Sequence, residues 1–366
     1  MTDFTRRNFG QALLAGGVLS HLPAEQDAAS QPTPSASAGS LVDVPGIRVG
    51  HFTDPRRPTG CTAILFDPEA AAGVDYATSA PGEAGVVMLQ PASPVDEIHA
   101  LFLTGGGPFG LPAYGGVIRY LEEQKTGFDW GTPGLRIPIV VGAVIDDLAV
   151  GDPRVRPDAE AAYKACAAAS TNPVAEGSVG AGAGATVGKM HRRGGFGGMK
   201  GGLGTASLKV GEVVVSALAV VNAAGDILDW RSGRIVAGAR RPSGGFADSV
   251  EVMKQALATR GADLGLDDPA LRSTTLVVVA TNVALAKTAL TKVANMANCG
   301  ASRAIRPYHT TGDGDQLFAV STRKLQRPDM PLTTIGSLAA DVAAEAIVRG
   351  VRTATSVPDW PAIRDL

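Results

Sequence analysis

Two hydrophobic patterns alternate along most of the chain. Short apolar runs predict buried strands, and stretches with apolar residues three and four apart predict helices. Residues 100–104 form an apolar run ending in glycines, and 111–124 follow with Tyr114, Val117, Ile118 and Leu121 at helical spacing. Residues 137–144 predict a second buried strand, and 157–168 a helix of small residues. Segments 213–221 and 227–230 flank Asn222-Ala223-Ala224-Gly225-Asp226, a pattern that predicts a hairpin-like turn. Residues 276–281 predict a further apolar strand with a helix over 283–298 behind it, and a strand at 317–321 and a helix at 333–349 close the pattern. No repeat of fixed period is present. The alternation predicts an α/β architecture with sheets covered by helices.

Composition narrows the function. The 366 residues carry 33 Lys+Arg against 35 Asp+Glu, a net charge of −2. That balance lacks the clustered cations that nucleic acid requires, so no nucleic-acid partner is expected. Hydrophobic residues at 45% and charged ones at 19% exclude a disordered or coiled-coil chain. Cys61, Cys166 and Cys299 are far apart and form no CxxC, which argues against a disulfide scaffold and a structural zinc site. GxSxG and HExxH are absent, and the five histidines show no ligand spacing, so no metal is expected. Asp313-Gly314-Asp315 lacks the third ligand of a calcium loop, whose place is taken by Leu317.

The N-terminus carries an address. Thr5-Arg6-Arg7-Asn8-Phe9 precedes the apolar run 12–19, which resembles a twin-arginine export signal. The run is too short for a permanent membrane anchor. We therefore expect a signal over 1–24, a linker rich in Ala, Ser and Pro over 25–40, a single folded domain over 41–366, and export to the periplasm or beyond.

Two glycine-rich stretches invite nucleotide readings. Gly105-Gly106-Gly107-Pro108-Phe109-Gly110 satisfies GxGxxG between a strand and a helix, which keeps open a dinucleotide-dependent oxidoreductase. Against it, the candidate acid Asp129 sits in a turn before the second strand, and about sixty residues of other structure come first. A tight turn presenting helix-start amides to a substrate cleft, with Gly107 and Phe109 lining it, is the competing reading. The stretch 176–189 mimics a phosphate loop but has Ala183 where Gly is needed and Met190 where Ser or Thr must follow Lys189. No cofactor is expected there. Lys189 is either solvated or a fixed charge in a small-residue pocket.

A different chemistry starts at Thr274, where a polar hinge meets a buried strand in Arg272-Ser273-Thr274-Thr275-Leu276. Breaking the bond before it would make Thr274 a chain terminus holding a hydroxyl nucleophile and an α-amine of pKa about 7.7–8, a base near neutrality. By itself such a threonine is an ordinary strand former. Several motifs in one order add to it: 43–51, 105–111, Val174-Ala175-Glu176-Gly177, 201–207, 274–282, and Arg306-Pro307-Tyr308-His309-Thr310-Thr311-Gly312-Asp313-Gly314-Asp315. Together they resemble the DmpA-like self-processing aminopeptidases, a family that includes β-peptidyl aminopeptidases and nylon-oligomer hydrolases.

The resemblance implies a four-layer αββα sandwich of the DmpA/ornithine-acetyltransferase-like, N-terminal-nucleophile type. It further implies a precursor cleaved between Ser273 and Thr274 into 41–273 and 274–366, and a homo-oligomer of processed pairs. Thr274 falls on the nucleophile, Asn222 on the oxyanion-hole asparagine, and Asp313, Asp315 and Lys189 on charged positions near the nucleophile. Two departures stand out. Ser273 replaces the Asn or Gly that precedes the nucleophile in relatives, and Asp146 replaces a tyrosine of the nylon-hydrolase branch on the substrate side. The expected function is hydrolysis of small peptides or peptide-like amides, as an aminopeptidase. The alternatives are endo-hydrolysis of 6-aminohexanoate oligomers, the oxidoreductase above, and a non-catalytic binding protein on the same fold.

Overall fold

A computed structural model describes residues 39–259 and 273–366. The signal, and the linker up to residue 38, lie outside the described residues. Among those residues no helix is long and apolar enough to cross a membrane.

Among the described residues nine strands share one continuous hydrogen-bonded sheet: β1 (Ile47–Thr53), β2 (Gly60–Asp75), β3 (Glu83–Ala84), β4 (Ile98–Thr104), β5 (Val140–Val144), β6 (Gly202–Val210), β7 (Val213–Asn222), β8 (Thr274–Val283) and β9 (Gln316–Leu325). Their order is β6-β7-β8-β9-β2-β4-β5-β3, with β1 also on β2. The 16-residue β2 is the fold line. Its first half pairs with β1 and β4, and its second half, from Ala71 to Asp75, pairs with β9. The register breaks between Leu65 and Ala70, so one sheet becomes two stacked layers.

The side-chain period of two then assigns every buried strand residue to a layer. Leu276, Val278 and Ala280 of β8, with Leu218 and Val220 of β7 and Phe318 of β9, meet Ile64, Phe66, Leu101 and Val141 of the other layer. Their odd-numbered neighbours Val277, Val279, Ala217, Ala219 and Leu317 point the opposite way. The α-helices of the described residues are α1 (Tyr114–Glu123), α2 (Ala159–Ala167), α3 (Ser249–Ala258), α4 (Lys287–Ala304) and α5 (Leu332–Arg352). Leu290 and Val293 of α4 and Ile335 and Ile347 of α5 cover those odd residues. On the far side, Val117 and Leu121 of α1 and Ala162 and Cys166 of α2 cover Ala63, Leu65 and Phe102. Helix, sheet, sheet, helix: the αββα layering holds. Each fully buried Leu or Val contributes about 1.5–3 kcal/mol, so the interlayer faces are a main source of stability. Glycine lets the layers close. A Cβ on Gly204 of β6 would stand 2.1 Å from the Ala346 carbonyl oxygen of α5.

Two local expectations change. The segment 222–226 is a corner, not a hairpin turn. Both edges of β7 are already taken by β6 and β8, and Asp226–Leu228 joins a separate three-stranded sheet. There the Asp226 carboxylate holds the N–H groups of Ala239 (2.7 Å) and Ser249 (2.6 Å). The helix expected over 283–298 forms as α4 from residue 287, because Val283 still pairs with Leu325.

Candidate active site

Thr274 is the first residue of β8, a central strand buried along its whole length. Its register partner on β7 is Asn222, the last residue of that strand. On the β9 side Ser273 bridges Asp313, and the Gly314 N–H donates to the Ser273 carbonyl at 2.8 Å. Thr274 Oγ1 donates to the same carbonyl oxygen at 2.7 Å. Pairing of the three strands thus delivers a hydroxyl, an amide side chain and an acidic turn to one end of the inner sheet.

Asn222 is oriented by its neighbours. Its Oδ1 accepts from Lys189 Nζ at 2.7 Å and from the Thr186 N–H at 3.0 Å. The Nδ2 is thereby turned away and donates to the Asp146 carbonyl at 3.1 Å. Lys189 is buried, not solvated, and also donates to Thr186 Oγ1 at 3.1 Å. Burial pushes its pKa down to about 8, while the charges of Asp146, Asp313 and Asp147 oppose that fall.

The two acids are buried as well. Asp315 accepts the Thr275 N–H at 2.5 Å and the His309 N–H at 3.3 Å. Desolvation, then the neighbouring Asp313 charge, hold it well above the usual carboxylate range. Asp313 accepts the Thr310 N–H at 2.8 Å, and burial raises it while Lys189 pulls the other way. The Asp313 charge beside Asp315 in a buried setting disfavours ionisation of both acids at once.

The glycine-rich turn at 105–110 does belong to a βαβ unit, since β4 and β5 pair in parallel across α1. Its amides are nevertheless occupied. The Gly106 N–H donates to Asp147 Oδ1 at 2.9 Å, and the Gly107 N–H to the Ile145 carbonyl at 3.0 Å. Asp147 is fully buried against Arg57 at 3.0 Å and accepts from Thr59 Oγ1 at 2.6 Å. A protein carboxylate stands where a pyrophosphate would go. This overturns both the dinucleotide reading and the expectation of free helix-start amides. Gly107 keeps a place beside the site: it has φ +55°, and a Cβ on it would lie 3.4 Å from Asp146 Oδ2. Phe109 is 60% exposed with the Arg156 guanidinium 4.3 Å above its ring.

Ser273, Thr274, Asn222, Lys189, Asp313, Asp315, Asp146 and Gly107 therefore form one connected group, and Phe109 faces solvent. The sequence reading does not single out Thr186, Gly314 or the Arg57–Asp147 pair. Only Gly314 had a usable signal there, its place between the two acids.

Solved structures share this architecture. An L-aminopeptidase D-Ala-esterase/amidase from Ochrobactrum anthropi, described as a variant of the Ntn hydrolase fold, matches with a TM-score of 0.63 at 21% identity over 89% of this chain and 90% of that one. A β-aminopeptidase from Burkholderia sp. matches with a TM-score of 0.61 at 22% identity, covering 89% and 90%. The fold is of the Ntn-hydrolase class. The family model for peptidase family S58 matches residues 39–360, and the chain belongs to that family. An uncharacterised aminopeptidase of Mycobacterium tuberculosis is 39% identical over 358 residues, covering 89% of this chain and 97% of the relative. A 6-aminohexanoate-oligomer endohydrolase of Paenarthrobacter ureafaciens is 29% identical over 328 residues, covering 84% of each. The protein is a hydrolase of peptide or amide bonds.

Proposed function

We propose that the chain is a precursor that cleaves itself before Thr274 and then works as an N-terminal-threonine aminopeptidase on small peptides. The supporting observation is the Thr274 hydroxyl, 2.7 Å from the carbonyl oxygen of the bond it would break. Once freed, the α-amine of Thr274 takes the Oγ proton as Oγ adds to the substrate carbonyl, and passes that proton to the leaving amine. Water then releases the acyl group by the reverse roles. Asn222, oriented by Lys189, donates Nδ2–H to the oxyanion, an interaction worth about 3 kcal/mol in comparable sites. Asp146 and Asp313 supply the negative field that a substrate ammonium requires, which favours a free N-terminus over the interior of a neutral polymer. Endo-hydrolysis of 6-aminohexanoate oligomers is the second reading, favoured by the activity named for the 29%-identical relatives.

Intact-mass measurement tests the mechanism. The parent protein is expected to yield a 274–366 fragment, and Thr274→Ala to remain one chain. Appearance of the fragment in that variant refutes the nucleophile assignment. Equal turnover of N-blocked and free substrates would transfer support to the endo-acting reading. We also propose twin-arginine export, which cell fractionation of an Arg6→Lys, Arg7→Lys double variant would refute by finding it outside the cytoplasm.

A further inference from the structure

Self-cleavage as proposed above creates its own oxyanion, and the group that faces it is visible. The Ser273 carbonyl oxygen becomes negative when Thr274 Oγ adds to its carbon. In the uncleaved chain the main-chain nitrogen of Gly314 donates to that oxygen at 2.8 Å. Asn222 is turned elsewhere, its Nδ2 on the Asp146 carbonyl at 3.1 Å and its Oδ1 held by Lys189 at 2.7 Å. The Gly314 N–H is also fixed in place. The residue before it, Asp313, bridges Ser273, and the Asp313 carbonyl is held by the Ala80 N–H at 2.9 Å. A side chain has no room: a Cβ on Gly314 would stand 2.5 Å from the Ala80 carbonyl oxygen and 2.8 Å from Thr274 Oγ1.

We propose that the main-chain N–H of Gly314 is the oxyanion donor of self-cleavage, and that the Asn222 side chain takes that role only for substrates of the mature enzyme. This rests on the self-cleavage reading. In the step, the Oγ–C bond forms as Oγ loses its proton, and the negative oxygen faces the Gly314 N–H. The intermediate collapses by breaking the C–N bond between Ser273 and Thr274, and the departing nitrogen gains the proton that Oγ lost. Water then adds to the resulting ester. The C–Oγ bond breaks, Oγ regains a proton, Ser273 leaves as a carboxylate, and one proton goes to solvent. Departure of the Ser273 carbonyl leaves the Asn222 side of the nucleophile to incoming substrate.

One variant separates the two donors. Asn222→Ala is expected to self-cleave within about threefold of the parental rate, while hydrolysis of an aminoacyl p-nitroanilide falls on the order of 100-fold or more. Gly314→Ala, whose Cβ displaces the N–H from the scissile carbonyl, is expected to accumulate as one chain. Processing is followed by intact mass over time after purification, with melting temperature as the folding check. If Asn222→Ala persists uncleaved with the melting temperature of Thr274→Ala, Asn222 is the precursor's donor and the proposal fails. Cleavage of Gly314→Ala at the parental rate overturns it too. Should Asn222→Ala not fold, Asn222→Asp keeps the oxygen that Lys189 holds, removes the N–H donor and is judged by the same criteria. Cleavage of Thr274→Ala would instead defeat the parent reading, so the two failures are distinguishable.

Discussion

Lys189 offers a stability test whose sign and size follow from its surroundings. The perturbation is Lys189→Met in a Thr274→Ala background, which the proposed self-cleavage predicts to remain a single chain, so that both proteins unfold from the same covalent state. Burial lowers this ammonium from 10.5 to about 8. The unfolded chain therefore holds the lysine proton over a range of pH in which the folded chain has lost it, and stability rises with pH across that window. The full displacement corresponds to about 3 kcal/mol of destabilisation, complete below the folded pKa and absent above the unfolded one. Between about pH 7 and pH 9 the same linkage predicts a gain of about 1 kcal/mol from this residue alone. Lys200 is buried too and pushed down to about 7, in part by the Lys189 charge, so its own slope is shallower in the Met variant and adds to the difference in the same direction. After the replacement Asn222 Oδ1 keeps the Thr186 N–H at 3.0 Å, and Thr186 Oγ1, which loses the lysine, keeps its own bond to Asn222 Oδ1 at 3.3 Å. Urea unfolding at the two pH values should show the Lys189 protein gaining about 1 kcal/mol more than the Met variant. Equal gains in the two proteins, or a loss in the lysine protein, would refute the buried ammonium.

Two further outcomes follow from the same electrostatics. Arg57→Met strands the Asp147 charge, whose partner is fully buried with it, and should cost about 3–5 kcal/mol in urea unfolding; a loss below about 1 kcal/mol would mean that the pair is not desolvated. Asp315→Asn keeps an oxygen for the Thr275 N–H and removes the titration. Because burial and Asp313 raise Asp315 in the folded chain, its contribution is fully present below the ordinary carboxylate pKa and is lost as pH rises through the raised value. The Asn variant of the uncleaved chain should therefore lose stability less steeply from about pH 4 upward. A thermal-unfolding profile parallel to the parent's would contradict the shift.

How much of this was written in the sequence depends on the range of the interaction. Strands and helices were legible because their signal is periodic and local: the even and odd residues of 276–280 separate into two clusters on opposite faces of β8. The corner at 222–226 was misread for the same reason. A turn sequence between two apolar runs says nothing about β7 having both edges filled by strands distant in the chain. The charged residues show the limit most clearly. Motif order brought Lys189, Asn222, Asp313 and Asp315 to notice, yet each alone looks like a surface residue, and only β7, β8 and β9 lying side by side, with the 186–189 segment held on Asn222 at the end of β7, make them buried neighbours. Asp147 shows the converse. Its neighbour Asp146 drew attention as a departure from a tyrosine, whereas Asp147 itself fills the glycine turn and cancels the nucleotide reading. That fact depends on the Gly106 N–H at 2.9 Å, 41 positions away. A glycine motif specifies amides that can point outward at a phosphate, and the fold decides whether some other anion has already taken them. The same reasoning carries to Thr274: the sequence marks the threonine, but only the fold shows that the carbonyl before it accepts the Gly314 N–H.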